Sequence, residues 1–482
     1  MERSRAVPAV VVNSFPPHVG IHIDCHSALC HNAPSYEEGM KITAIRGFRD
    51  ILPDESGLWQ ILESQARMSF SAYGFSEIIL PILEKTELFA RAIGETTDIV
   101  EKEMYTFTDR DDSSLTLRPE GTASVIRSYI EHSLHQKEPV SKLFYIGPMF
   151  RRERPQKGRY RQFHQIGAEI LGREDALIDA ELLLMLNDFF TALQLDVSVD
   201  VNSLGCSTCR PQYREHLRAF GESKFSALCE NCHGRLQRNP LRILDCKEEG
   251  CRLATRDAPV LADFLCDPCR QHFAQVQALL QNEQVKITVN PRLVRGLDYY
   301  CRTSFEVIAL GLGSQNAVCG GGRYDGLVEQ MGGPAIPGIG FAIGVERLAM
   351  LLQAQERQGS AAPDVFIAPM GEAAESQAFA VARRLRQDGY RIELESGRRS
   401  LKAQMRRADK LRVRYVLIVG ENEIKAGKGT VRDMQTKADR SLAVDLFASA
   451  QDVMNAIRET SAQPAALSRP PEGSEHESKP EA

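Results

Sequence analysis

Six basic residues, Arg151, Arg152, Arg154, Lys157, Arg159 and Arg161, crowd one short polar loop with only Glu153 to oppose them. Two apolar, strand-like arms flank the loop, Leu143–Phe150 and Phe163–Leu171, so the segment reads as a β-hairpin with a cationic tip. Like charges at this spacing repel, and a polyanion between the arms relieves that repulsion. Tyr160 and Phe163 beside the charge offer faces on which a base can stack, which points to a nucleotide rather than a bare phosphate. A solvated charged turn is the alternative reading of the same residues.

A second cluster carries metal-ligand chemistry. Cys206 and Cys209, Cys229 and Cys232, Cys246 and Cys251, and Cys266 and Cys269 form four close pairs in one segment. Three of the pairs have C-x-x-C spacing, which suits tetrahedral zinc, and eight thiolates complete two four-cysteine sites. Disulfides and unliganded thiols are the alternatives; close pairs in a large chain favour metal or reduced thiols and a cytoplasmic setting. The spacing leaves open which pairs share an ion.

The remaining chain bounds what these residues serve. Its 482 residues allow two to four domains, and 43% hydrophobic content supports packed cores. A net charge of −5 does not mark a general nucleic-acid binder, so any such site is a local basic patch. One candidate is the helix expected over Ser400–Lys410. Leu401, Met405, Ala408 and Leu411 form its packed side, and Lys402, Arg406, Arg407 and Lys410 the others, near Arg398, Arg399, Arg412 and Arg414. A solvated helix face is the plainer reading. No apolar run reaches membrane-spanning length. Residues 1–39 lack periodicity and a signal-peptide pattern, and read as a disordered extension or as translation assigned upstream of Met40. Residues 461–482 read as a disordered tail.

Helices and strands are expected to alternate from Ile51. A helix over Ser56–Ala72 packs through Leu58, Ile61, Leu62 and Met68, and Phe75–Leu83 is a β-rich run that Pro81 confines to an edge or interface. A helix follows Arg118–Thr122, and Ala176–Leu193 is another. Strands are expected at Val197–Val201, Val285–Val289 and Tyr300–Leu310, a glycine-rich turn at Val318–Gly326, and a strand running into a helix at Gly338–Leu352. Hairpins with helices packed on one side make an α+β layer rather than a doubly wound parallel sheet. Beyond a linker at 354–363, three strands alternate with two helices from Val365 to Val419, followed by a strand at Gly429–Asp433 and a last helix at Asp445–Glu459.

Several of these segments together resemble the class II aminoacyl-tRNA synthetases, and among them the bacterial-type histidyl-tRNA synthetases. Gly74–Pro81 is similar to motif 1, Phe150-Arg151-Arg152-Glu153 opens motif 2, and Gly338–Leu348 resembles motif 3. Arg295-Gly-Leu-Asp-Tyr-Tyr300 and Gly320-Gly-Gly-Arg-Tyr-Asp325 resemble segments distinctive of the histidine enzyme. The resemblance runs from about Met40 to about Ala456. It implies an antiparallel catalytic core at 40–203 and 285–353, a cysteine-rich insertion at 204–284 and an anticodon-binding α/β domain at 364–460. The implied activity is ATP-dependent ligation of histidine to tRNA(His) through histidyl-adenylate, with magnesium accompanying ATP, in a homodimer formed through motif 1. Two other readings are a regulatory subunit of ATP phosphoribosyltransferase built on the same core, and an inactive zinc-dependent RNA-binding relative. The first fits poorly with a chain that keeps Arg151, Arg295, Arg347 and the C-terminal domain, and histidine-dependent ATP–pyrophosphate exchange separates all three readings.

By the same resemblance Arg151 meets the α-phosphate and the histidine carboxylate, with Arg295 beside the α-phosphate where many enzymes place a metal ion. Arg159 takes the β/γ end, Glu153 belongs to the ATP site, Phe163 stacks on adenine, and Arg347 lies by the γ-phosphate or the ring. Glu169 and Tyr300 receive the two imidazole nitrogens. Glu120, Thr122 and Gln165 hold the α-amino group, although Glu120 before a helix start also reads as a simple cap. Arg295 and Tyr299 complete the histidine pocket. Arg154, Gln156 and Lys157 are candidates for the tRNA acceptor end, and Lys402 and Arg406 for contacts in the C-terminal domain.

Overall fold

The computed structural model describes residues 42–462, apart from 95–96, 298, 310–315, 358–361, 396–398, 442–444 and 447. The proposed extension 1–39, its start at Met40, Asp298, Arg398 and positions 463–482 lie outside the described residues. The chain divides after Ile45 into two units, and every described helix and strand lies in the unit that begins at Arg46.

An eight-stranded sheet organises the larger part. Its strands are β1 (Ser76–Glu77), β2 (Ser141–Phe150), β3 (Gln162–Leu171), β4 (Val197–Ser203), β5 (Ile287–Val289), β6 (Cys301–Ala309), β7 (Ala317–Arg323) and β8 (Gly338–Gly344). Their spatial order is β1-β2-β3-β8-β7-β6-β4-β5. Only the two rim pairings, β1 with β2 and β4 with β5, are parallel. The six inner strands are antiparallel, as short hairpin connections require.

Two-residue alternation sorts the side chains of these strands between faces. Ile166, Ala168 and Ile170 of β3, Phe305 and Val307 of β6, and Ile339, Phe341 and Ile343 of β8 enter one continuous apolar core. Helices Pro53–Ala72, Ala176–Ala192, Asp267–Asn282 and Val345–Ala354 close that core from one side. The residues between them, including Phe163, Gln165, Glu169, Glu306, Gly340 and Gly344, face the other way and are free to do chemistry.

Three expectations need correction. The first helix packs through Leu58, Trp59, Leu62, Ala66 and Phe70, whereas Ile61 and Met68 are exposed, because the true apolar stripe is set by Trp59 and Phe70. The Phe75–Leu83 run contributes just Ser76–Glu77 to the large sheet and Leu83–Lys85 to a three-stranded one. β1 does lie at the sheet's rim. Val318–Gly326 is not a turn, since Ala317–Arg323 is the interior strand β7. Its glycines exist for close approach. A Cβ on Gly321 would collide with the Gly340 carbonyl, and one on Gly320 with the Arg295 guanidinium.

The C-terminal part has a five-stranded sheet ordered Ile392–Leu394, Val365–Pro369, Tyr415–Val419, Thr430–Asp433, Ala438–Ser441. The first three strands are parallel and the last two antiparallel. The sequence reading missed the last strand and the helix Glu421–Ala426, and the final helix begins at Ala450 rather than Asp445.

A buried ion network ties the large sheet to its helices. Arg323 is fully buried and donates to Asp179 at 3.1 Å, and His272 Nε2 meets the other Asp179 oxygen at 2.8 Å. Asp179 and His272 sit on two different helices, so β7 is locked to both. Removing Arg323 leaves the Asp179 carboxylate buried with its cationic partner gone and His272 alone beside it. Arg323→Met is expected to destabilise the protein by about 3–5 kcal/mol in urea unfolding, and a change below about 1 kcal/mol would contradict this role.

Candidate active site

A cleft of about 270 Å³ opens on the polar face of the large sheet. Arg151, Arg159, Arg295 and Arg347 all line it, with Phe163, Gln165, Glu153, Glu306 and Glu346. These arginines come from the hairpin, the segment before β6 and the helix after β8, so the sheet gathers stretches of chain almost two hundred residues apart. Each guanidinium is anchored. Arg151 donates to the Pro119 carbonyl at 2.9 Å and lies 5.2 Å from the Phe163 ring centre. Arg159 pairs with Glu153, which also faces Arg151 at 3.8 Å. Arg295 donates to Glu306 at 2.8 Å and rests over the Tyr300 ring. Arg347 donates to the Ala317 carbonyl. Burial lowers the pKa of Arg151, Arg159 and Arg347, the signature of cations held with too little water and too few counter-charges.

Behind this cleft sits a buried polar cluster. Glu169 is inaccessible, and its two oxygens accept from Thr122 Oγ1 at 2.6 Å and Tyr324 Oη at 2.5 Å. Burial pushes its carboxyl pKa up to about 8, against the pull of those two hydroxyls. A Cβ on Gly340, the β8 residue opposite Glu169, would collide with the Glu169 carboxylate, so glycine there makes its space. Glu120 is buried and accepts from the backbone N–H groups of Thr122 at 2.7 Å and Ala123 at 2.9 Å, capping the helix Thr122–Glu131. Tyr299 and Tyr300 pack against each other with ring centres 4.6 Å apart, and Tyr299 also meets Tyr324. Of the residues assigned to histidine, Gln165 and Arg295 line the cleft, whereas Glu120, Thr122, Glu169, Tyr299 and Tyr300 do not. The hydroxyl that reaches Glu169 beside Thr122 belongs to Tyr324.

A family model described as histidyl-tRNA synthetase matches residues 47–348, well over half of the chain. The chain belongs to the histidyl-tRNA synthetase family. A second model, described as an anticodon binding domain, matches residues 364–450 of this family member. The histidine–tRNA ligase of Syntrophotalea carbinolica is 56% identical over 407 residues, spanning 84% of this chain and 97% of the relative. That of Trichlorobacter lovleyi is 57% identical over 396 residues, with 82% and 94% spanned. The apo histidyl-tRNA synthetase of S. aureus superposes with a TM-score of 0.71 at 36% identity, over 86% of this chain and all of that one.

Three partners in this synthetase's site escaped the sequence reading, two lining the cleft and one in the buried cluster behind it. Glu306 is an acid inside the otherwise apolar run Phe305–Ala309, and that interruption was the available signal. Tyr324 stood in the glycine-rich segment already singled out. Glu346 accepts from the His164 backbone N–H at 2.8 Å and lies 3.2 Å from its Nδ1, joining the helix Val345–Ala354 to the hairpin.

Outside the cleft, Arg154, Gln156 and Lys157 are exposed at the hairpin tip. On the helix Leu401–Lys410, Lys402, Arg406 and Lys410 are exposed, as is Arg412 beyond it. Arg407 does not belong with them: it pairs with Glu393 and with the buried Glu395, because that helix side faces the neighbouring strand. The eight insertion cysteines converge as two quartets, Cys206/Cys209/Cys266/Cys269 and Cys229/Cys232/Cys246/Cys251. All are free, and sulfur separations of 3.6 and 3.8 Å within them exclude the disulfide alternative in this structure. Among the described residues, no helix is long and apolar enough to cross a membrane.

Glu169→Gln keeps the shape of the buried cluster and removes its ionisable group. The substitution is expected to weaken histidine binding on the order of tenfold or more while ATP affinity changes little, as measured by calorimetry with each ligand. Equal loss of both affinities would refute the assignment of Glu169 to the amino acid.

Proposed function

We propose that the chain ligates histidine to tRNA(His), with the four-arginine cleft as the place where ATP and histidine meet. The observation that carries the reading is Arg151, Arg159, Arg295 and Arg347 around one cavity, beside a buried acid cluster. The histidine carboxylate attacks the α-phosphorus of ATP, the bond to the β-phosphate breaks, and pyrophosphate leaves. A terminal ribose hydroxyl of the tRNA then attacks the adenylate carbonyl and AMP departs. The protein's task in the first step is positioning and charge cancellation. Arg151 and Arg295 bracket the α-phosphate, the planar fork of each matching two oxygens at once. Arg159 and Arg347 hold the leaving pyrophosphate, and Phe163 supports the base. Glu169, buried and proton-bearing near neutral pH, is suited to exchange that proton with an imidazole that enters beside it. Glu120, which caps the neighbouring helix, with Thr122, Gln165, Tyr299 and Tyr300, completes the amino-acid pocket.

Glu153, Glu306 and Glu346 line the cleft, and carboxylates are hard oxygen donors that fit magnesium entering on ATP. When bound, that ion screens repulsion among the phosphates. The two cysteine quartets fit structural zinc. Ile79, Ile82 and Leu83, exposed near the sheet rim, support a homodimer through that edge. Reduced thiols in number suit the cytoplasm. Lys402 and Arg406 with Lys410 and Arg412 form the basic surface for the anticodon end, and Arg154, Gln156 and Lys157 meet the acceptor end. The alternative of a regulatory subunit is disfavoured, because the arginine set is retained in one cleft and the anticodon-binding domain is present.

Two measurements test this reading. The purified protein is expected to catalyse histidine-dependent ATP–pyrophosphate exchange, falling roughly 100- to 1,000-fold in Arg295→Ala with the fold retained. Absence of exchange in the unaltered protein would sink the assignment. Lys402→Glu with Arg406→Glu is expected to raise the KM for tRNA about tenfold and leave pyrophosphate exchange unchanged; an unaltered KM would remove those residues from the tRNA surface.

A further inference from the structure

The cysteine quartets stand next to the segment that carries Arg295, and the contacts between them are specific. Within the first quartet Cys206 Sγ lies 3.6 Å from Cys209 Sγ and 3.8 Å from Cys266 Sγ. Within the second, Cys229 and Cys246 are 3.8 Å apart. Four thiolates at about 2.3 Å from a tetrahedral zinc ion stand about 3.8 Å from one another, so these separations are those of a ligand shell. Backbone N–H groups already point at the sulfurs, Cys266 to Cys209 at 3.2 Å and Cys229 to Cys251 at 3.0 Å. Such donors stabilise thiolates and orient them. Gly205, at φ +63°, makes the left-handed turn into the first quartet, and a Cβ there would press on Cys209.

The quartets are embedded in a small apolar cluster of the insertion, with Tyr213, Leu217, Leu236, Ile243, Leu261 and Leu265 buried among the cysteines. Its helix Arg210–Ser223 buries Tyr213, Leu217 and Gly221, and its helix Glu230–Arg238 buries only Cys232 and Leu236. The first quartet joins the two ends of the insertion and the second lies between them, so together they close the module's long loops.

The module in turn grips the chain between β5 and β6. Arg292 donates to the Thr255 carbonyl at 2.6 Å, to Thr255 Oγ1 at 2.9 Å and to the Leu244 carbonyl at 3.2 Å. Leu244 and Thr255 flank Cys246 and Cys251, and Thr255 Oγ1 itself donates to the Cys251 carbonyl. Arg242 donates to the Gly296 carbonyl at 2.8 Å. From the first quartet, Arg210 follows Cys209 and donates to the Tyr300 carbonyl, while Leu204 and Gly205 exchange backbone hydrogen bonds with Arg302. The segment bearing Arg295, Tyr299 and Tyr300 is therefore fastened from both quartets.

We propose that each quartet binds one zinc ion and that the two ions act as a clamp that positions the 292–302 segment, so that metal occupancy governs whether Arg295 stands ready in the cleft. The inference rests on the proposed catalytic role of Arg295, and adds the pairing of the cysteines and a task for them. Arg292 and Arg242 are positioning residues in it.

The test uses the full-length protein. Elemental analysis is expected to give two zinc ions per chain, and one in Cys229→Ser/Cys232→Ser, with the remaining ion replaceable by cobalt(II) to give a tetrahedral thiolate spectrum. Hydrogen exchange of peptides covering 290–302 is expected to accelerate when zinc is stripped. Arg292→Ala leaves both quartets intact, so it tests the grip even where a cysteine variant fails to fold. This variant is expected to keep two zinc ions, exchange faster at 290–302, and lose roughly 10- to 100-fold in kcat of pyrophosphate exchange with an unchanged KM for tRNA. Fewer than one zinc per chain, or two ions retained in the double cysteine variant, would overturn the sites. Unchanged exchange at 290–302 after zinc removal, or full activity in Arg292→Ala, would overturn the clamp. A zinc-replete protein whose 290–302 segment loosens as described, yet which shows no histidine-dependent exchange, would count against the ligase reading alone.

Discussion

Everything in this molecule depends on a sheet whose two faces do opposite jobs. Strand geometry sends neighbouring side chains to opposite sides, and here one side is apolar and sealed by four helices. That burial is what permits the other side to carry charge. Arg151, Arg159 and Arg347 sit in a place that lowers their pKa, and only a rigid scaffold keeps such groups from swinging out to water. The penalty for holding them is offset elsewhere, in the hydrophobic interior and in locks such as Arg323 with Asp179.

Glycine is the second half of the device. Gly320 and Gly340 sit in strand interiors, where glycine weakens a ladder, yet each leaves room that a functional group from another part of the chain fills. Arg295 takes the volume above Gly320, and Glu169 that beside Gly340. The polar face is thus shaped by what is missing from β7 and β8 as much as by what is present on β3.

The hairpin was legible because two signals coincide there: apolar alternation marks the arms, and an unbalanced charge marks the tip. Recognising motifs then placed Arg295 and Arg347 in the same cleft. The glycine-rich run at Val318–Gly326 misled for a physical reason, since glycine's preference for turns gave way to close backbone approach. Arg407 read as part of a free basic face because its partners Glu393 and Glu395 come from another element. Glu306 and Tyr324 were invisible as partners for the same reason: nothing along the chain says which residue lies across a strand. The cysteines show the limit most clearly, since spacing gives pairs but only folding joins Cys206 and Cys209 to Cys266 and Cys269.

Trp59 is the single tryptophan of the chain, and its ring meets His164 edge-on with centres 4.8 Å apart. His164 stands between Phe163 and Gln165 on β3 and is joined to Glu346, so the indole borders the wall of the cleft from its core side. The protein thereby carries a native optical probe, free of interference from any other indole, whose emission is expected to report changes at that wall without a label being attached.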